Sequence, residues 1–399
     1  MRFLISLVTV LLTFLIFTDR GECAEPVISA RAAVVMDLRT GQVLYAKEPT
    51  KRMYPASTTK ILTAVVVLQN CKLDEQVEAS KEAADVGGSA IWLEEGEELA
   101  VSDALYALLL NSANDVAVAL AEKASGSVDG FVSLMNRTAK ACGAVDSHFN
   151  NPHGLPDENH YTTALDLAKI TRAAMRYKVF REIVATKTKT IGRESPEASG
   201  VLLNTNKLLW RYDGAIGVKT GYTAQAGQCL VAAARRGERE LIAVILGNGG
   251  GEIWSEAARL LDWGFSAYRL VELAQPGEVV GHLPVAGGIR PVEVETKHSV
   301  WYNISTEEDP LPLPRQRLSL EPVEAPVSKG QRLGEIIFED GNKEIGRVSV
   351  VAGIDVPRAP RWPVFLRALL VLAGTFMLLV LLAAINRRIR RRRKRIFAR

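Results

Sequence analysis

An α/β (α+β) fold with an antiparallel sheet, followed by a small all-β domain and a C-terminal transmembrane helix, is what the sequence predicts. Three observations carry this. Strand-like segments joined by tight turns occur early and again beyond residue 216, with apolar segments at helical spacing between them. From about residue 273 helical periodicity gives way to short alternating runs. Residues 368–385 then form eighteen consecutive positions without a charge, about 27 Å as a helix and enough to cross a hydrocarbon core.

The ends of the chain differ from its middle. Met1 and Arg2 precede an apolar run over residues 3–17, followed by Gly21-Glu22-Cys23-Ala24, so residues 1–24 read as an export signal. A retained N-terminal anchor is the alternative, and the run is short for one. Cys23 lacks the flanking residues of a lipoprotein box. Beyond the apolar C-terminal segment, residues 387–399 hold nine basic groups and no acid. The positive-inside rule places that tail in the cytoplasm and everything before the span outside. The formal net charge of +4 conceals the split, because residues 25–386 carry 38 basic and 43 acidic groups, a balance of −5. No basic face suited to nucleic acid is indicated. Cys71, Cys142 and Cys229 remain after the signal, an odd number at wide spacing that suggests neither a disulfide framework nor a zinc site.

The elements follow in order. Residues 32–38 and 42–46 flank Arg39-Thr40-Gly41 and read as a hairpin. Pro55 is preset for a first helical turn, and Ile61, Leu62, Val65, Val66 and Leu68 recur at helical spacing, so Ser57 should open a helix. Helical patterns over 102–110 and 116–124 are broken by Asn111-Ser112-Ala113-Asn114-Asp115, where Asn114 or Asp115 is a candidate cap. A turn-rich segment, Phe149 to Leu155, precedes a helix over 163–174. His153 and His160 lack the spacing of helical metal ligands, and a structural turn is the better reading, with no metal or cofactor required. Residues 217–223, 229–234 and 240–246 read as consecutive antiparallel strands, the last two joined at Arg236-Gly237. The predicted domains are 25–272, catalytic; 273–356, β-rich; 357–367, a proline-stiffened linker; 368–386, the span; and 387–399, the tail.

Chemistry is concentrated in three short motifs. In Ser57-Thr58-Thr59-Lys60 the serine and lysine stand one helical turn apart, so the amine can reach the hydroxyl, and the positive end of the helix favours an alkoxide. A lysine acts as base only when burial or a second cation keeps part of it neutral. Taken alone the pair is weak, because Ser-x-x-Lys arises by chance and a serine opening a helix is usually a cap. Ser112-Ala113-Asn114 is the second motif, placed to point into a cleft beside Ser57. The third is Lys219-Thr220-Gly221, on a strand where Thr220 faces opposite to Lys219 and Gly221 permits close backbone approach, so that an extended substrate could add along the edge.

Together and in this order, in an exported chain, Ser-x-x-Lys, Ser-x-Asn and Lys-Thr-Gly form the motif set of penicillin-binding proteins and class A β-lactamases. The chain resembles the low-molecular-weight penicillin-binding proteins, the serine D-alanyl-D-alanine carboxypeptidases of peptidase family S11. The resemblance extends over residues 32–351 and includes Asp37, Thr40-Gly41, the turn Asn151-Pro152-His153-Gly154-Leu155 and the β-rich domain. It implies a sheet and a helical subdomain with the active site between them. It also implies that Ser57 attacks the carbonyl between the terminal D-alanines of a peptidoglycan stem peptide, giving an acyl-enzyme that water hydrolyses and that β-lactam antibiotics would mimic. On the same basis Lys60 accepts the serine proton, Ser112 relays a proton to the leaving amine, Asn114 binds the peptide, Lys219 supplies positive charge and Thr220 meets the terminal carboxylate. Backbone N–H groups of Ser57 and Tyr222 would form the oxyanion hole. The sequence departs from the family twice. Where some relatives have an arginine near the carboxylate, this chain reads Asn248-Gly249-Gly250-Gly251-Glu252-Ile253-Trp254, and where well-known relatives have an amphipathic anchor, residues 368–385 are apolar all round.

Three rival functions use parts of the same equipment. A serine β-lactamase needs a glutamate-held water for deacylation, and no Glu-x-x-Leu-Asn segment lies between Asn114 and Lys219. A DD-endopeptidase would use the same residues. A wall-binding scaffold would rely on the β-rich domain alone.

Overall fold

The computed structural model describes residues 24–193, 199–250, 252–307, 313–360 and 364–396. All of the expected export signal except Ala24 lies outside the described residues. The chain divides into two units: one runs to Glu272 and takes in Trp301–Leu313, the other holds Leu273–Val300 and everything from Pro314 onward.

In the first unit, strands β1 (Ala32–Asp37) and β2 (Val43–Lys47) form the expected hairpin, and β3 (Ala215–Thr223), β4 (Gly227–Arg236) and β5 (Arg239–Asn248) form the expected meander. They join into one antiparallel sheet of order β2-β1-β5-β4-β3, with Val34 opposite Val244 across the seam. Strand β3, which carries Lys219-Thr220-Gly221, is therefore an edge. Every residue of β1 is buried, because successive side chains leave opposite faces of a sheet that is covered on both sides. Ala32, Val34 and Met36 pack with the helical layer. Ala33 and Val35 pack under the helix Ile253–Ala267 through Leu260 and Leu261.

Helix α1 (Lys60–Asn70) passes through the middle of the helical layer, and its residues 60–67 are all buried. A helix apolar on every side belongs in a core. Helices α2 (Val101–Tyr106) and α3 (Asn114–Ser125) flank it; the end of the first expected helix is a π-helical turn, Ala107–Asn111, and the break before α3 falls at Ser112 and Ala113. That wider turn ends on Ser112 in the left-handed region at φ 63°, ψ 32°. Asn114 and Asp115 do not cap α3: the cap position is Ala113, which makes no side-chain bond. Their side chains are engaged elsewhere, as described below.

In the second unit a five-stranded antiparallel sheet includes Val292–Thr296, Arg332–Asp340 and Lys343–Ala352. Val292–Thr296 shows the alternation expected of this domain: Val292, Val294 and Thr296 are buried, and the two valines join Leu333, Phe338 and Val350. Val300–Ser305, expected in this domain, instead pairs with Tyr268–Ala274. Asn303 there is held by Gln42 and Arg239 of the first unit, Gln42 Nε2 donating to its carbonyl and Arg239 Nη2 to its Oδ1, each at 3.0 Å. The apolar C-terminal helix runs from Val364 to Ile396, so it begins inside the expected linker and continues through most of the basic tail. Within its Phe365–Arg391 segment an 18-residue window reaches a mean hydropathy of 2.8 and is not buried against the rest of the protein.

Candidate active site

Ser57 lies in a single 3-10 turn, Ala56–Thr59, that continues directly into α1. Pro55 before it has helical angles, φ −80° and ψ −17°, as suits proline at a helix start. Ala56 is left-handed at φ 48°, which costs a non-glycine residue of order 1 kcal/mol or more. Its neighbour explains how that is tolerated. A Cβ on Gly154 would stand 1.9 Å from the Ala56 carbonyl oxygen, so only glycine lets the turn at 151–155 close over the residue preceding Ser57.

One turn on, the Lys60 amine is fully buried and makes three contacts: Ser57 Oγ at 3.0 Å, Asn114 Oδ1 at 2.7 Å and the His153 carbonyl at 2.8 Å. Two of these partners accept only. As an ammonium, Lys60 donates to all three. As a neutral amine it spends its two protons on Asn114 and His153, which leaves the lone pair directed at the Ser57 hydroxyl. The environment favours the second state. Burial pushes the Lys219 amine down to about 7. Burial together with that neighbouring cation holds Lys60 well below the ordinary lysine value, against a smaller upward pull from Asp115.

Lys219 itself is buried on β3, its amine 3.1 Å from the Thr220 carbonyl. Thr220 faces the other way and shares a hydrogen bond with Thr205 Oγ1 at 2.8 Å. Gly221 serves a different approach from the one expected. The group that comes close is the turn carrying Ser57, since a Cβ on Gly221 would lie 2.9 Å from the Ser57 nitrogen and 3.1 Å from that of Thr58. Tyr222 follows, 70% exposed at the strand edge.

The Ser112 hydroxyl is buried and has no hydrogen-bond partner among the described residues. A buried polar group left unsatisfied and carried on a left-handed residue is costly, and such features concentrate at functional sites. Ser57, Ser112, Thr220, Gly221 and Tyr222 line one cleft of about 430 Å³, with Ser89, Thr205, Lys207, Gln228 and Trp254. A larger hollow of about 660 Å³, lined by Val65, Gln69, Arg172 and Tyr177 among others, holds none of the motif residues. Lys60, Asn114 and Lys219 stand behind the cleft rather than in its lining. Asn114, expected to point at the peptide, is 3% exposed and gives its amide nitrogen to the Gly87 carbonyl at 2.7 Å.

Several residues of the site had no signal in the sequence. Asp115 accepts the backbone N–H groups of Ile91 and Leu93, each at 3.1 Å, and the Asn114 N–H donates to the Ser89 carbonyl, so the 87–93 segment is stitched to the start of α3. Arg193 donates to the Ile91 carbonyl and pairs with buried Glu97, whose carboxyl its hydrogen bond holds below the usual range. His160 receives the Asn150 N–H at Nδ1, which leaves Nε2 as donor to Thr59 Oγ1 at 2.9 Å. Burial pushes His160 down to about 4 and, with Lys60 beside it, His153 to about 3. Both rings are neutral parts of the frame under Ser57.

The sequence profile described as D-alanyl-D-alanine carboxypeptidase matches residues 20–250, more than half of the chain. The chain belongs to the D-alanyl-D-alanine carboxypeptidase family. Residues 268–358 match the penicillin-binding protein 5 C-terminal domain. This carboxypeptidase is 33% identical over 348 residues to D-alanyl-D-alanine carboxypeptidase DacF of Bacillus subtilis, covering 86% of this chain and 89% of that one. It is 31% identical over 365 residues to DacA of Escherichia coli, 83% and 85% covered. Among solved structures, penicillin binding protein 5 from Haemophilus influenzae superposes with a TM-score of 0.72 at 29% identity, covering 84% of this chain and 99% of that one. The Streptomyces K15 DD-transpeptidase superposes with a TM-score of 0.58 at 36% identity, 61% and 99% covered. The carboxypeptidase is accordingly a hydrolase with a penicillin-binding-protein catalytic unit and an all-β unit after it.

Proposed function

We propose that Ser57 is the nucleophile and Lys60 its base in removal of the terminal D-alanine from peptidoglycan stem pentapeptides. The observation that carries this is the partner set of the Lys60 amine, in which two obligate acceptors use both protons of the neutral form and leave its lone pair on Ser57 Oγ. The Ser57 proton passes to Lys60 as Oγ bonds to the penultimate D-alanyl carbonyl. The oxyanion is received by the N–H groups of Ser57 and Tyr222, donors that typically contribute about 3 kcal/mol each to such a transition state. The C–N bond then breaks, and the leaving amine takes a proton through Ser112, whose unpartnered hydroxyl is available for the relay. Water cleaves the acyl-enzyme by the reverse route. Asn114 holds Lys60, Lys219 keeps it neutral, and Thr220 meets the substrate carboxylate. Penicillins acylate the same serine.

The basic run after the apolar helix supports a single-pass anchor with residues 387–399 in the cytoplasm and the catalytic unit outside. The Streptomyces structure is a DD-transpeptidase, and an acyl-enzyme of this kind can pass to an amine as well as to water. Assay of a pentapeptide separates these: we expect one D-alanine released per tetrapeptide formed, none with Ser57→Ala. Release by Ser57→Ala at the wild-type rate would refute the proposal.

A further inference from the structure

A peptide ending in D-alanine carries a free carboxylate, and that charge separates a carboxypeptidase substrate from an internal peptide bond. Two lysines of the site are already committed. Lys60 is bound to Ser57, Asn114 and His153, and Lys219 is buried against the Thr220 carbonyl. The stretch after β5, where a cation would also reach this end of the cleft, reads Asn248-Gly249-Gly250-Gly251-Glu252-Ile253-Trp254 and supplies none. Ile253 and Trp254 are its contributions to the lining.

Lys207 lines the same cleft. Among the described residues it has neither an ion-pair nor a hydrogen-bond partner for its amine, and it is exposed. The backbone that carries it is anchored on both sides. Asn204 is buried and donates to the carbonyls of Val184 and Thr186, while its Oδ1 accepts the Asn206 N–H. Asn206 is buried in turn and accepts the Leu208 N–H. Burial alternates along this stretch, and Thr205 and Lys207, the latter opening a helical turn at φ −64° and ψ −16°, are exposed and line the cleft. Thr205 is the residue that shares its hydroxyl hydrogen bond with Thr220.

We infer that Lys207, which lines the cleft together with Thr205 and Thr220, receives the terminal carboxylate and selects chains that end in a free D-alanine. The inference rests on the reading of Ser57 as nucleophile and adds the cation that reading leaves unfilled. A lysine ammonium is a mobile point charge in contact with water, so its contribution is moderate, screened by salt, and realised equally in ground and transition states. Such binding appears in KM rather than kcat.

The test compares a pentapeptide with its C-terminal amide, using the full chain in detergent. Wild type should prefer the carboxylate, with a KM about tenfold below that of the amide. Lys207→Ala and Lys207→Gln should raise the carboxylate KM about tenfold, leave kcat within about twofold, and lose most of the discrimination and its salt dependence. Lys207→Arg should restore both. A carboxylate-to-amide ratio in Lys207→Ala equal to that of wild type overturns the inference, provided the variant melts at the wild-type temperature. If it melts early, the same ratio in Lys207→Gln decides. Failure of the underlying reading is distinguishable, because penicillin labelling would then be absent from Ser57 or persist undiminished in Ser57→Ala, whereas failure of the Lys207 assignment leaves wild type acylated on Ser57 and active.

Discussion

Asn114→Asp puts the account of the base under direct strain. The side-chain oxygen that accepts from Lys60 at 2.7 Å would be kept, but as part of a carboxylate in a buried setting. An opposite charge at that distance favours the ammonium and raises a neighbouring pKa by roughly 1 to 3 units. Each unit removes about nine-tenths of the neutral base at pH values below both pKa values. Acylation at pH values below both should therefore fall roughly ten- to a thousand-fold, and by less at higher pH. The loss should be recovered as pH rises, with the acid limb displaced upward. The variant also replaces the donor that satisfies the Gly87 carbonyl, at a cost of about 1 to 3 kcal/mol in stability. The assay is the second-order rate of labelling by a fluorescent penicillin between pH 5 and 10, with Asn114→Ala as a variant that loses both the Lys60 and the Gly87 bonds without adding charge. An acid limb in Asn114→Asp that coincides with that of wild type would refute the neutral-lysine mechanism.

Other consequences follow from particular contacts. Gly221→Ala sets a methyl 2.9 Å from the Ser57 nitrogen; displacing that turn by even part of an ångström should lower kcat/KM by about a hundredfold, read by D-alanine release. His160 is neutral in the folded state with a value of about 4 against 6.5 for the free side chain. Its folded pKa is the lower one, so its contribution is intact above pH 6.5 and is lost as pH falls toward 4, about 3 kcal/mol over that window. Urea midpoints at pH 7, 5.5 and 4.5 should decline in step, and a flat series would contradict a buried neutral ring. Protease added to intact spheroplasts should digest the catalytic unit and spare the arginine-rich segment; protection of the catalytic unit would reverse the proposed topology.

The Ser57–Lys60 pair was legible because the two stand three residues apart where a 3-10 turn runs into a helix, and such spacing is a local property. The edge strand with Lys219 was legible from its alternation and flanking turns. The rest of the site depends on contacts that no local pattern encodes. Lys60 is bonded to Asn114 and to the His153 carbonyl, 54 and 93 residues away in sequence, and nothing around either position announces a lysine as its partner. Asn114 and Asp115 looked like caps because short polar residues before an apolar helix usually are. Neither holds the cap position: Asn114 is bonded to Lys60, and Asp115 accepts the Ile91 and Leu93 amides besides that of Val116 in its own first turn. The π-helical turn before Ser112 has the same apolar spacing as an α-helix over so few residues and was read as one. Val300–Ser305 has the β-branched and aromatic content of the strands around it, so composition placed it with the second unit. Its buried Asn303, matched to Gln42 and Arg239, decides otherwise.

Peptide mapping of penicillin-labelled protein by mass spectrometry bears most directly on the nucleophile. The adduct should fall on the peptide containing Ser57, at one label per chain, and vanish in Ser57→Ala. An adduct on any other serine, or undiminished labelling of Ser57→Ala, would contradict the account.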